Sequence, residues 1–137
     1  MSVQGMCRIL FVCVANSCRS QMAEGFTREY GAGIIEAYSA GTHPSGAVDP
    51  RAVEVMNEAG IDISGQISKG FDALPVKEFD LVIGMGCGDS CPLVPSRGRL
   101  TWDISDPKGA DIRVFRAARD DIRDHVLELI EGINKGG

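Results

Sequence analysis

A single α/β domain, a three-layer sandwich around a sheet of four mainly parallel strands, is the fold this sequence predicts, and three observations predict it. The apolar run Arg8–Cys13 and the largely apolar Phe79–Met85 have the length of strands buried on both faces. Amphipathic helical stretches alternate with the strand-like ones, the pattern of βαβ units. The chain has 137 residues with no repeat, low-complexity tract or linker-like stretch, so one core is expected across 1–137.

The elements follow in order. After the first strand, Val14–Ser20 is small and polar, and Gln21–Tyr30 places Met22, Phe26 and Tyr30 four residues apart before a stop at Gly31, which predicts a helix. A second strand is expected at Ile34–Tyr38, followed by a turn-rich stretch from Ser39 to Gly46. Asp49-Pro50 marks a helix start, with Asp49 as cap and Pro50 at the first helical position, where no amide hydrogen is needed. Val53 and Met56 continue that helix to Gly60. The Phe79 strand runs into a glycine-laced segment, a short strand is expected at Arg99–Trp102, and Phe115, Ile122, Val126, Leu129 and Ile133 share one face of a long closing helix. In such sheets ligands bind beyond the carboxyl ends of the strands.

Composition narrows the function. With 44% apolar and 24% charged residues the chain is neither disordered nor fibrous, and a net charge of −5 gives no general footprint for nucleic acid or an anionic membrane. No run is long enough to span a bilayer, and a soluble, cytoplasmic monomer is expected. Five cysteines, an odd number, suit a reducing compartment better than a disulfide scaffold. Neither Cys13-x4-Cys18 nor Cys87-x3-Cys91 has common zinc-knuckle spacing, and His43 and His125 read as ordinary histidines, so no metal site is expected.

The spacing Cys-x5-Arg from Cys13 to Arg19 is weak by itself, and Cys91 to Arg97 repeats it by chance between prolines. The first copy, however, lies between a buried strand and a helix N-terminus, where backbone amides can form a nest for a tetrahedral anion. Val14, Ala15, Asn16, Ser17, Cys18 and Ser20 then form the anion-binding loop, and Arg19 adds a planar two-pronged donor. Cys13 lies at the base of that cradle, where its thiolate is favoured and faces the central atom of the anion. Ser20 can donate to the sulfur, and Asn16 can hold the loop open. The plainer alternative is a loop with two buried cysteines.

Cys13-Val-Ala-Asn-Ser-Cys-Arg-Ser20, Gln21-Met-Ala-Glu-Gly25, Tyr38-Ser-Ala-Gly41 and Asp106-Pro107 together resemble the low-molecular-weight protein tyrosine phosphatase superfamily. Ser17–Gly25 and Gly86-Cys-Gly-Asp-Ser-Cys-Pro92 are most similar to its arsenate reductase branch, of thioredoxin-coupled type. The resemblance implies a low-molecular-weight phosphatase-like fold, Asp106 as general acid, and an alkali cation such as potassium beside the loop at Asn16, Glu24 and Ser39. It implies no tightly bound cofactor, only an oxyanion (arsenate, phosphate or sulfate) in the loop.

Within that superfamily, Cys87 and Cys91 favour a reductase. Hydrolysis of a cysteinyl phosphate needs no further thiol, whereas reducing arsenate takes two electrons, which a dithiol closing to a disulfide supplies. Cys87 would attack Cys13 and Cys91 would then attack Cys87, with Gly84, Gly86 and Gly88 letting the segment move. The run Asp106-Pro-Lys-Gly109 lacks the aromatic residues with which phosphatases of this superfamily hold phosphotyrosine. The resemblance implies thioredoxin as partner; because the gap between Cys87 and Cys91 is narrower than in the thioredoxin-coupled pattern, glutaredoxin and mycothiol stand as alternatives. The competing functions are a tyrosine phosphatase and a non-enzymatic thiol module for metal or arsenite.

Overall fold

The computed structural model describes residues 6–86 and 95–136. Among the described residues four strands form one sheet in the order β2-β1-β3-β4, every adjacent pair parallel: β1 (Cys7–Cys13), β2 (Ile35–Gly41), β3 (Phe79–Gly84) and β4 (Ser96–Thr101). The described helices are α1 (Arg19–Tyr30), α2 (Pro50–Glu58) and α3 (Ile112–Gly136), with a 3₁₀ turn at Phe71–Ala73. This is the α/β class and strand number expected from the sequence.

Alternation along β1 sorts the core into two layers. Ile9, Phe11 and Cys13 face α1, α2 and α3, where Met22, Phe26, Val55, Phe115, Ile122 and Val126 close the larger cluster. Leu10 and Val12 face the other way, with Ala40 and Val82, and are covered by Phe71, Leu74 and Val76 from the 3₁₀ turn and the coil after it. β1 is thus apolar throughout because both faces are buried. Asp49 caps α2 by accepting from the Arg51 amide, with Pro50 at the first helical position. Glu58 at the end of α2 takes Arg116 through two nitrogens and Arg119 through a third, tying α2 to α3.

Four boundaries differ from the sequence reading. β2 continues through Ser39–Gly41, read above as turn. Those residues pair in register with Phe11–Cys13, and the Gly41 amide donates to the Lys69 carbonyl, so the tertiary partner overrides the turn-like composition. α1 starts at Arg19 instead of Gln21. β1 takes in Cys7 because its amide bonds the Ile34 carbonyl. β4 spans Ser96–Thr101 rather than Arg99–Trp102; as an exposed edge strand it is specified by backbone pairing to β3 more than by an apolar pattern.

The strand order places the site. From β1 the chain moves outward to β2, then crosses to β3 on the other side of β1, so the β1/β3 boundary is a topological switch point with a crevice at its carboxyl end. Cys13 ends β1 there, and the Met85 amide after β3 bonds the Val12 carbonyl.

Packing predicts unequal costs along α3. Ile122 is fully buried, so Ile122→Ala should lose about 2–5 kcal/mol of unfolding free energy, read as a lower denaturant midpoint at constant slope. Leu127, 45% exposed on the same helix, should change by no more than about 0.5 kcal/mol when made Ala. Similar losses at both positions would contradict this packing.

Candidate active site

The loop from Cys13 to Cys18 is held from outside at every carbonyl. Thr42, His43, Ser45 and Asp49 donate their amides to the carbonyls of Cys13, Val14, Ala15 and Ser17; the Ser68 hydroxyl also reaches Ala15. Gln21 Nε2 takes the Asn16 carbonyl, and the Met22 amide takes that of Cys18 as α1 begins. With carbonyls pinned outward, the alternating amides turn inward, and none of the amides of Val14–Cys18 donates to a protein group among the described bonds. The turn requires Asn16 at φ +50°, in the left-handed region that Asn tolerates better than most residues. Gly41 lines the outside of this ring: a Cβ there would lie 2.6 Å from the Val14 carbonyl oxygen and 2.9 Å from Asn16 Cβ.

Cys13, 2% exposed, lies at the base of the ring with its Sγ 2.9 Å from Ser20 Oγ. The direction of this bond follows from its neighbours. The Lys69 amide can only donate, so the Asn16 atom it meets at 2.9 Å is Oδ1. Nδ2 therefore faces Ser20, donating to Oγ at 2.7 Å, and leaves the hydroxyl proton for the Cys13 sulfur. A thiolate is the sulfur species best served by that proton.

Arg19 is 6% exposed, and its Nη1 donates to the Ile104 carbonyl at 3.1 Å while Nη2 lies 3.5 Å from Asp106 Oδ2. Its Nε is buried without a protein acceptor among the described residues. Leaving such a charged donor unpaired costs about 1–3 kcal/mol or more, which an anion in the loop would recover. Half-exposed Asp106 accepts from the Lys108 amide through Oδ1 and turns its other oxygen toward Arg19. Gly86, read above as a swing point, has a more specific constraint: φ is +88°, and a Cβ would lie 2.2 Å from Arg19 Nη1, so the guanidinium occupies the space a side chain would need.

The other described thiols are set apart from Cys13. Burial pushes the Cys18 thiol up to about 12; Asp49, Asp106 and Cys13 add to this, and the Ser17 hydroxyl opposes it. Burial, with Asp80 nearby, also raises Cys7. Both remain protonated near neutral pH and are poor nucleophiles. Trp102 packs between Phe11 and His125, with ring centroids 5.7 and 4.9 Å away.

At the residues expected beside an alkali cation, Ser39 donates to one Glu24 oxygen and the Arg28 guanidinium pairs with the other, while Asn16 Oδ1 accepts from Gln21 and the Lys69 amide. Cys87 and Cys91, with Gly88, lie outside the described residues. Among the described residues no cluster of His, Cys, Asp or Glu is placed to hold a metal ion, and no helix is long and apolar enough to cross a membrane.

The sequence reading identified the cradle but missed its outer supports, Gln21, Gln66 and Ser68. The one local signal was an amide side chain, Gln21, at a helical position next to the core residue Met22; it is fully buried.

Comparisons with known proteins agree with this geometry. The profile of the family described as low molecular weight phosphotyrosine protein phosphatase matches residues 8–137. A glutaredoxin arsenate reductase from Synechocystis is 42% identical over 132 residues, covering 94% of this chain and all of the relative. A solved arsenate reductase in its phosphate-binding state superposes with a TM-score of 0.83 at 41% identity, covering 93% of this chain and 99% of the other. A thioredoxin-dependent arsenate reductase from Corynebacterium glutamicum has a TM-score of 0.80 at 29% identity, covering 98% of this chain and 65% of the other.

The constraint on Gly86 can be separated from ordinary backbone strain. Gly33 has φ +82° but no atom within 4 Å of an added Cβ, so Gly33→Ala should cost about 1–2 kcal/mol of stability and leave anion binding unchanged. Gly86→Ala should add a loss of arsenate or phosphate affinity of about tenfold or more by displacing Arg19, measured by calorimetric titration. Equal anion affinity in the two variants would show that Gly86 is not kept small by the guanidinium.

Proposed function

The chain belongs to the low molecular weight phosphotyrosine protein phosphatase family, and we propose that within it this protein reduces arsenate to arsenite, serving arsenic detoxification as a cytoplasmic monomer. The observation that carries the reading is the Cys13 sulfur, bonded to Ser20, at the base of an inward ring of amides, with the Nε of Arg19 at the other end of the loop buried without an acceptor among the described residues. This arrangement suits thiolate attack on a tetrahedral oxyanion, and relatives at about 42% identity named arsenate reductase support arsenate as that anion.

The chemistry then runs in balanced steps. The loop amides and Arg19 hold three oxygens of arsenate, and the Cys13 thiolate forms a sulfur–arsenic bond as one arsenic–oxygen bond breaks. Asp106 gives its proton to the departing oxygen, which leaves as water. The Cys87 thiolate attacks the Cys13 sulfur; the sulfur–arsenic pair returns to arsenic, As(V) becomes As(III), and arsenite departs, leaving a Cys13–Cys87 disulfide. Cys91 then attacks Cys87, freeing Cys13 as a thiolate, and an outside dithiol returns two electrons and two protons to the Cys87–Cys91 disulfide. Thioredoxin is the donor the sequence put first; the full-length relative named for glutaredoxin favours glutaredoxin, and mycothiol is a third arm of the test.

Arsenate-dependent NADPH oxidation, run side by side with thioredoxin, glutaredoxin–glutathione and mycothiol systems, tests the scheme. Cys13→Ser should lower turnover on the order of 10⁴-fold or to background with every donor. Cys87→Ser should release no arsenite catalytically, and Cys91→Ser should stop after one arsenite per enzyme. Multiple turnovers in Cys87→Ser would overturn the relay. If p-nitrophenyl phosphate hydrolysis is fast and untouched by Cys87→Ser while arsenate is not reduced, the protein is a phosphatase instead.

A further inference from the structure

We infer that Gln21, outside the anion loop and not in contact with its sulfur, is a positioning residue that fixes the direction of the hydrogen-bond chain ending on Cys13. Gln21 is fully buried on α1. Its Nε2 donates to the Asn16 carbonyl at 3.0 Å, to Asn16 Oδ1 at 2.9 Å and to the Ile67 carbonyl at 3.0 Å. Both carbonyls can only accept, so the nitrogen of the Gln21 amide is the atom on that side and its oxygen faces away. Gln66 Nε2 meets that oxygen at 2.7 Å and the Gln21 carbonyl at 3.1 Å, closing the arrangement.

The consequence reaches the nucleophile through Asn16. A side-chain amide can turn over, exchanging its oxygen and nitrogen. Were Asn16 to do so, Oδ1 would face Ser20 and accept the hydroxyl proton that now points to sulfur. Two donors hold Oδ1 in place, Gln21 Nε2 and the Lys69 amide, and Gln21 also holds the Asn16 backbone in its left-handed turn. Gln21 thus keeps Asn16 donating to Ser20 and Ser20 donating to Cys13. The chain starts at residues 66–69, more than 40 positions away in sequence, so that coil sets the electrostatics of a sulfur it never touches. This rests on Cys13 being the nucleophile, and not on which oxyanion it attacks.

Alkylation reads the sulfur without any substrate. Cys13 is followed by iodoacetamide labelling across pH, with fragment-ion mass spectrometry separating it from Cys18. Arg19, Asp106 and Cys18 are the charged and titratable groups around Cys13, and Glu24, Arg28 and Lys69 flank the Gln21–Gln66 end; all stay in the variants. Gln21→Met should move the pH midpoint of Cys13 labelling upward by about one unit, toward the value for Ser20→Ala. In the double variant the two shifts should not add, because both break the same chain. Gln66→Ala, at the solvent side, should move the midpoint in the same direction by less, and it carries the test if Gln21→Met does not fold. A lower melting temperature with an unmoved midpoint in Gln66→Ala and in folded Gln21→Met would reduce the pair to packing and overturn the inference, as would fully additive shifts. Because labelling needs no arsenate, failure here is distinguishable from failure of the reductase reading.

Discussion

The outward anchoring of the carbonyls of residues 13–18 is the constraint on which the rest of the site depends. In a tight loop, successive peptide units cannot direct both of their polar ends to the same side, so donors supplied outside decide what faces inside. The amides of Thr42, His43, Ser45 and Asp49 occupy that outer collar, and the coil after β2 therefore follows the loop instead of leaving it. Gly41 is part of the same constraint, since the loop at Val14 and Asn16 lies too close for a Cβ. The inward field of amides, with the dipole end of α1, favours an anion within the loop.

Arg19 translates the cradle into a demand for a ligand. A buried guanidinium needs acceptors; among the described residues it has the Ile104 carbonyl and a long contact to Asp106, and Nε has none. The positive end of the site is thereby held beside the Asp106 loop after β4 and against Gly86 just after β3, so β1, β3 and β4 all contribute to one crevice. Among the described cysteines the surroundings differ: Cys18, two residues after Asn16 in the loop, keeps its proton to about 12, whereas Cys13 has a hydroxyl aimed at it. The polar chain is directional because backbone groups, which cannot exchange donor for acceptor, stand at its start.

What was legible in the sequence was what local pattern encodes. Arg8–Cys13 and Phe79–Met85 read as strands because burial on both faces leaves few polar positions, Arg8 and Asp80 near their starts, and Asp49-Pro50 reads as a helix start because capping is a two-residue matter. Cys13, Arg19, Ser20 and Asn16 were legible because the cradle is one continuous segment. Ser39–Gly41 looked like turn and proved to be strand, since its conformation is set by pairing to β1. Gln66, Ser68 and Lys69 carried no signal at all: their bonds to the loop span 45–53 residues, and no spacing rule reaches that far. The pairing of Glu24 with Arg28, one helical turn away, is a local matter of i,i+4 spacing on α1.

The central claim is that the loop amides and the Arg19 Nε–H converge on one oxyanion. The direct measurement is a ¹⁵N–¹H NMR titration of the Cys13→Ser protein with arsenate, following the backbone amides and the arginine side-chain resonances. The account predicts that the amides of residues 14–19 and the Arg19 Nε–H move together to saturation at one stoichiometric site, with the collar amides of Thr42, His43, Ser45 and Asp49 changing least because their protons are already bonded. Saturable shifts elsewhere, with the loop amides and Arg19 Nε–H unmoved, would contradict it.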